Sequence, residues 1–352
     1  MNLESQHYKF VDVAKGLGIL FIVLGHTVPN HAIHQFLYSF HVPLFFLLSG
    51  FTYKLKDNKK HFYLSKFKRL LFPYFAFSII SIIVFWAMSK VIPLSGDSRI
   101  IPNILGMLYG DSNTGYMTWN RPLWFLPCLF CSIIILDVVE TLLHKLHCDG
   151  IGPRLVVIMT MWAVGIFINC YIKGLNLPFH LESAVFLTGF SEVGLLLKKF
   201  VNERNTTKPN QNKGILYLSL FVLLLVGIGL CAMNGSTDIR LHKFGVNPVL
   251  LVLTSIVFSC ATIIFSLSLT NVNFLAVCGA SSLSILLMHK FPILFFQEIV
   301  PYVRNLLATY DSFKSTLCGI LISGLVIILC LVVERIILMI CPAIVGKSKQ
   351  SK

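Results

Sequence analysis

About ten runs of roughly twenty predominantly apolar residues dominate this chain. A stretch of ~20 such residues is what one α-helix needs to cross a bilayer. The runs fall near 10–28, 35–53, 71–90, 122–143, 154–172, 178–197, 214–233, 247–269, 274–296 and 316–341. Composition agrees: of 352 residues, 56% are hydrophobic and 12% charged, about half the ~25% charged residues of soluble domains. A soluble fold has too little interior to hide that much apolar surface, which excludes a soluble enzyme, a disordered tail and a secreted disulfide scaffold. The expected fold class is an all-α polytopic membrane protein with about ten transmembrane helices. It reads as one integral-membrane domain over 1–346 followed by a basic cytoplasmic tail, 347–352. The first run reads as a retained span, since no small-x-small cleavage site follows His26-Thr27-Val28-Pro29, and no soluble domain is expected at either end.

The 29 Lys and Arg against 15 Asp and Glu leave a formal charge of +14. These cations sit in clusters between apolar runs, as in the cytoplasmic loops of multi-span proteins, and not on polar helices as in nucleic-acid binders. Assigning loops alternately to the two sides puts 18 of the 29 on the side of the termini and 8 on the other, with Lys15, Lys290 and Arg335 inside or at the ends of spans. Both termini are therefore expected in the cytoplasm. The longest outer loop, about 91–121, is the natural cover for a polar substrate. The ten cysteines mostly fall within apolar runs; Cys128 and Cys131 form a CxxC, but no second pair completes a zinc set, and they read as packing residues. The polar run 198–213 reads as a solvated inner loop, so the sequon at Asn205-Thr206-Thr207 is discounted. No internal repeat of the kind found in inverted-repeat transporters stands out.

The first run places Asp12, Lys15 and His26 in one apolar helix, and ionisable residues inside a membrane are costly enough to suggest function. Asp12 and Lys15, three apart, share a face. Lys15 and His26 are eleven apart; at ~100° per residue they fall ~20° off three full turns, separated by a rise of ~16 Å. One stripe thus joins a cation near the cytoplasmic surface to a histidine in the outer half. The plainer alternatives are a snorkelling lysine and a histidine bonded to a backbone carbonyl beside Pro29. Gly16, Gly18 and Gly25 equally suit close helix packing.

These residues resemble those of the acyltransferase-3 family of integral membrane acyltransferases. Lys15-x10-His26 is similar to the family's basic-x10-His motif, with Asp12 before it and Gly16 after. The run Phe40-His41-Val42-Pro43-Leu44-Phe45-Phe46-Leu47-Leu48-Ser49-Gly50-Phe51 resembles its FHxPLFFxxSGF second span. Lys66-Phe67-Lys68-Arg69-Leu70-Leu71-Phe72-Pro73-Tyr74 resembles the element that opens the third, Leu123-Trp124-Phe125-Leu126 the fourth, and Ser282 to His289 a late segment ending in histidine. Lys15 and Lys66 stand where many members carry arginine, keeping the charge but losing the bidentate fork. With no appended esterase-like domain, the chain looks like the short branch similar to fucose 4-O-acetylase-type and capsule or O-antigen acetyltransferases.

The resemblance implies an O-acetyltransferase that moves an acetyl or other short acyl group from acyl-CoA to a sugar hydroxyl. The acceptor would be a bacterial surface polysaccharide or its lipid-linked precursor, and the enzyme a multi-pass protein of the bacterial inner membrane. Such chemistry needs a base for the hydroxyl proton and a site for the developing oxyanion. His26 is the catalytic histidine on this resemblance, and Asp12 and Lys15 complete the catalytic set, Lys15 facing the donor or holding Asp12 in an ion pair. His26 would act either as general base, its free imidazole titrating near ~6.5, or as acyl carrier; the residues leave both routes open. Lys66, Lys68 and Arg69 stand where the phosphates of acetyl-CoA would be neutralised, although inner loops are basic for topological reasons too. His41, Trp124, Asn120 and Arg121 are the candidates for acceptor binding, and Trp119 reads as an interfacial anchor. Glu182 and Glu192 are candidates to assist the histidine, and His289 to meet the donor or close the cavity, with Pro292 breaking the helix after it. No metal or tightly bound cofactor is implied, nor any nucleotide-binding glycine motif. Membrane lipid, acyl-CoA and a glycan or lipid-linked sugar are the expected partners, with no nucleic acid. The competing function is a transporter or flippase for a lipid-linked sugar or similar solute, with an inactive accessory subunit of a polysaccharide export system as a third reading.

Overall fold

A computed structural model describes residues 8–92, 94, 96–111, 116–172, 174–204 and 213–347. The sequon and nearly all of the basic tail lie outside the described residues. In chain order the helices are α1 (Lys9–Thr27), α2 (His31–Tyr38), α3 (His41–Thr52), α4 (Lys59–Lys66), α5 (Phe72–Met88), α6 (Ile100–Tyr109), α7 (Phe125–Lys145) and α8 (Ile151–Tyr171). They continue with α9 (Leu181–Arg204), α10 (Lys213–Asn234), α11 (Pro248–Ser268), α12 (Asn273–Ala280), α13 (Ser282–Met288), α14 (Lys290–Leu294), α15 (Pro301–Leu307) and α16 (Phe313–Ile340). No strand forms among the described residues; Asp238 and Lys243 make an isolated antiparallel bridge. The protein is an all-α polytopic membrane protein.

Nine described helices or joined helices are long and apolar enough to cross a membrane. The expected sixth span, α9, is the exception: it carries too many polar and charged residues, and several of them, Glu182, Ser183, Thr188, Ser191 and Glu192, are buried within the bundle. It packs lengthwise against α3, α7 and α8. Conversely, the large residues left exposed are apolar along the crossing helices, such as Ile79, Ile83 and Trp86 on α5 and Leu218, Phe221 and Leu225 on α10. That is the exterior lipid requires, since hydrocarbon offers no partner to polar groups.

Three expected spans are broken, two of them beside a proline. The second divides between α2 and α3 at Ser39 and Phe40, placing His41 at the start of a helix. The third passes through a π-helical turn, Phe67–Leu71, before α5. Pro73 has no N–H to give the Arg69 carbonyl, and the wider turn accommodates the lost bond with Phe72 N–H reaching back to Phe67. The ninth is assembled from α12, α13 and α14, then a π turn at Phe295–Ile299; Pro292 lies within α14.

Helix α1 is the hub, touching α2, α3, α11, α12, α13 and α16. Its closest approach is to α12: a Cβ on Gly16 would collide with the Leu275 carbonyl, and one on Gly279 with that of Asp12. The α3–α9 seam is built the same way, with Gly50 against the Ser191 carbonyl and Gly194 against that of Leu47. Without a hydrophobic force between helices in lipid, such small-residue contacts carry much of the association.

Buried ion pairs tie the bundle on the face where α1 begins and α16 ends, here the near face. Arg154, 1% exposed, is held by Glu140 at 2.5 and 3.0 Å and by Glu192 at 2.7 Å. Asp137 receives Lys59, Tyr53 and Tyr63, and Glu334 receives Lys347 and Ser284. Arg154 is therefore a structural ion rather than the loop charge its position suggests, and Glu192 is committed to it.

Candidate active site

Two cavities lie end to end along α1. The near cavity, about 330 Å³, is lined by Lys15, Ile19 and Ile22 of α1, Phe45, Ser49 and Thr52 of α3, Lys66, Arg69 and Leu70, part of α7, and Ser282, Leu283 and Leu286 of α13. The far cavity, about 220 Å³, is lined by Ile22 and His26, by Tyr38, His41 and Val42, by Trp119, Arg121, Pro122, Trp124 and Phe125, by Asp238, Ile239 and Arg240, and by Leu286 and Lys290. Ile22, Phe125 and Leu286 belong to both linings, so one layer of apolar side chains separates the two spaces. Lys15, Ile19, Ile22 and His26 follow one another at steps of four, three and four, the stripe of a single helical face. The eleven-residue spacing thus puts the lysine in one cavity and the histidine in the other.

His26 closes the last turn of α1 with its ring stacked on His289, centroids 5.4 Å apart, and edge-on to Tyr38 at 6.3 Å. His289 lies within hydrogen-bond reach of two carbonyls, Ile285 at 3.0 Å and Leu286 at 2.9 Å, through Nδ1. A carbonyl only accepts, so Nδ1 carries the proton and Nε2 is left as a buried lone pair without a partner. His41 is fixed the same way, its Nδ1 donating to the Leu37 carbonyl at 2.6 Å. Its ring lies edge-on to Tyr38, itself stacked on His34 at 3.7 Å. Two imidazoles, a phenol and two tryptophans therefore share the far cavity.

Of the expected acceptor residues, His41, Trp124 and Arg121 reach the far cavity and Asn120 does not. Asn120 is fully buried behind the wall, donating to Ser81 Oγ at 2.9 Å. Trp119, expected as an interfacial anchor, is instead 8% exposed, bonded to the Ser81 carbonyl and part of the cavity wall. Glu182 is likewise absent from the lining; its carboxylate lies near His180 and His242. Sequence reasoning missed Tyr38, Asp238, Arg240 and Lys290. Arg240 lies 3.4 Å from Asp238; burial lowers its pKa below that of a free guanidinium, and the Asp238 charge opposes that.

In the near cavity Lys15, Lys66 and Arg69 lie within electrostatic reach of one another, and Asp12 acts on Lys15 without lining either space. The near-face carboxylates Asp137, Glu140, Glu192 and Glu334 are already paired with other cations. Net positive charge therefore remains. Lys68 points elsewhere: it is exposed and lines a more open groove with Ser65, Phe72 and Lys347, which Arg69 also borders.

A family model for the acyltransferase domain of the acyltransferase-3 type matches residues 8–335, nearly the whole chain. The chain belongs to the acyltransferase-3 family. No curated protein and no solved structure matches it. Several of the motif residues line the two cavities: Lys15 and His26 of the basic-x10-His stripe reach one each, and the FHxPLFF segment supplies His41 and Phe45, while the late histidine, His289, stacks on His26 without lining either.

Proposed function

We propose that this acyltransferase is an O-acetyltransferase of the bacterial inner membrane, with both termini in the cytoplasm. It takes an acetyl or other short acyl group from acyl-CoA held in the near cavity and gives it to a sugar hydroxyl in the far cavity. The observation that carries this reading is the pair of cavities that meet at Ile22, Phe125 and Leu286, the near one lined by Lys15, Lys66 and Arg69 and the far one by His26 and His41. Lys15, Lys66 and Arg69 neutralise the donor's phosphates, because charge-assisted hydrogen bonds in a partly desolvated site are the strong ones. The pantetheine arm extends along the α1 stripe and brings the thioester to the apolar collar.

His26 takes the proton of the attacking hydroxyl as its oxygen forms a bond to the thioester carbon. The tetrahedral oxyanion collapses, the carbon–sulfur bond breaks, and the CoA thiolate leaves to be reprotonated. Lys290 and Arg121, cations of the same cavity, offset the negative charge that develops. The far cavity brings three cations, Arg121, Arg240 and Lys290, against one carboxylate, Asp238. That balance favours an acceptor carrying phosphate or carboxylate, such as a lipid-linked sugar diphosphate, with Trp124 offering its face to the sugar ring.

A knockout complemented with wild type or His26→Ala tests the reading, with ester groups on purified surface glycan measured by mass spectrometry. Esters are expected with wild type alone. Esters restored by His26→Ala would remove the histidine from the chemistry, and a glycan missing from the surface would point to transport.

A further inference from the structure

Beside the far cavity, and contributing no side chain to it, His180, Glu182 and His242 meet, brought together by the first turn of α9, the turn before it and the loop between α10 and α11. His180 ends the 3-10 turn Pro178–His180, Glu182 opens α9, and His242 follows the turn Ile239–Leu241. His180 is completely buried, yet neither ring nitrogen has a hydrogen-bond partner. A buried imidazole with both nitrogens unanswered is costly unless something else binds it. Glu182 is buried as well, and the Leu177 N–H donates to its Oε2 at 3.1 Å. Its Oε1 lies 3.6 Å from His180 Nδ1 and 3.2 Å from His242 Nε2.

We propose that His180, Glu182 and His242 form a divalent-cation site, best suited to zinc, which clamps the turn before α9 to the loop between α10 and α11. All three donor atoms lie within 4.8 Å of one another. With metal–ligand bonds of ~2.0–2.1 Å, the edge of a tetrahedron is ~3.3–3.4 Å, and the two shorter separations lie on either side of it. Two imidazoles and one carboxylate suit zinc better than calcium or magnesium, which prefer all-oxygen sites. The ion would take up one of the unanswered nitrogens of His180. It would also fix the loop whose Asp238, Ile239 and Arg240 line the far cavity, while the His180 ring supports Trp124 from behind at 5.1 Å. The site is a positioning element, since none of its ligands lines the cavity that holds His26.

Tag-free protein purified in detergent tests this by elemental analysis and thermal melting. Wild type is expected to carry about one zinc per chain; His242→Gln and Glu182→Gln are expected to lose it. Stripping with EDTA should lower the wild-type melting temperature, zinc sulfate should restore it and magnesium chloride should not, with His242→Gln insensitive to all three. Cobalt(II) added to stripped wild type should give the d–d absorption of a four-coordinate ion. Wild type with far less than stoichiometric metal, melting alike with EDTA or zinc, would reduce the cluster to a hydrogen-bonded triad. Zinc retained equally by both variants would place the ion elsewhere.

Discussion

Replacing single cations of the near cavity separates donor binding inside the bundle from donor binding on its surface. Lys15 and Lys66 are partly buried and line the cavity; Lys68, two residues on, is exposed in the neighbouring groove. A lysine 4 Å from a phosphate charge at an effective dielectric of about 20 gains at most ~4 kcal/mol. A hydrogen bond to a charged group contributes ~1.5–3 kcal/mol after desolvation. Lys15→Met or Lys66→Met, which keep the aliphatic stem, should therefore raise the KM for acetyl-CoA by roughly 10- to 150-fold, with kcat changed far less. Lys68→Met should raise it less than about threefold, because an exposed charge is screened by solvent. The assay is initial-rate transfer to an acceptor in proteoliposomes at varied acetyl-CoA and two salt concentrations, with the exposed position expected to be the more salt-sensitive. If Lys68→Met weakened the donor as much as Lys66→Met, the CoA phosphates would lie in the open groove and the near cavity would have no donor role.

Three further outcomes are expected. Arg154→Met leaves Glu140 and Glu192 buried without their cation and should cost about 3–5 kcal/mol, read as a lower melting temperature in detergent; an unchanged transition would mean the triad does not stabilise the bundle. Gly50→Ala drives a methyl into the Ser191 carbonyl, whereas Gly229→Ala and Gly324→Ala meet nothing within 4 Å, so folded yield should fall for the first alone; equal yields would refute the tight α3–α9 seam. Leu286→Ala opens the layer between the cavities and should increase acceptor-independent hydrolysis of acetyl-CoA relative to transfer, since the layer keeps water from the thioester; an unchanged ratio would show that the layer is no barrier.

Helix periodicity made α1 readable in advance. Eleven residues at 100° each return to the same face, and that face lines both cavities. What periodicity cannot supply is the partner of a face. Asp238 and Arg240 reach His26's cavity from a loop more than two hundred residues away, and nothing in their local sequence marks them. His180 and His242 escaped for the same reason: sixty-two residues apart, they make no metal-ligand spacing. Asn120 and Trp119 sit beside the cavity in sequence, but the 3-10 turn Thr118–Trp124 that carries them places their side-chain nitrogens against Ser81. Arg154 looked like a loop charge because it stands near a helix start, where sequence alone cannot tell a snorkelling end from an ion turned inward. The broken spans were partly legible: Pro73 and Pro292 mark two of them, whereas no proline stands at Ser39 and Phe40.

The cavity arrangement also bears on whether His26 carries the acyl group. An acyl-histidine route is needed when donor and acceptor cannot meet, and its cost is a second chemical step. Here the rise from Lys15 to His26 is ~16 Å, but the cavities themselves are a single side-chain layer apart. With the donor in the near cavity as proposed, its extended arm would cross most of that distance there, leaving the thioester only the Ile22–Phe125–Leu286 layer to pass. On the same proposal transfer is direct, with His26 acting as general base alone. On this reading no acylated enzyme accumulates: mixing the protein with radiolabelled acetyl-CoA without acceptor, then quenching at neutral pH in denaturant, should leave the protein unlabelled. Label that appears in wild type, is absent from His26→Ala and is chased off by acceptor would overturn direct transfer in favour of the relay.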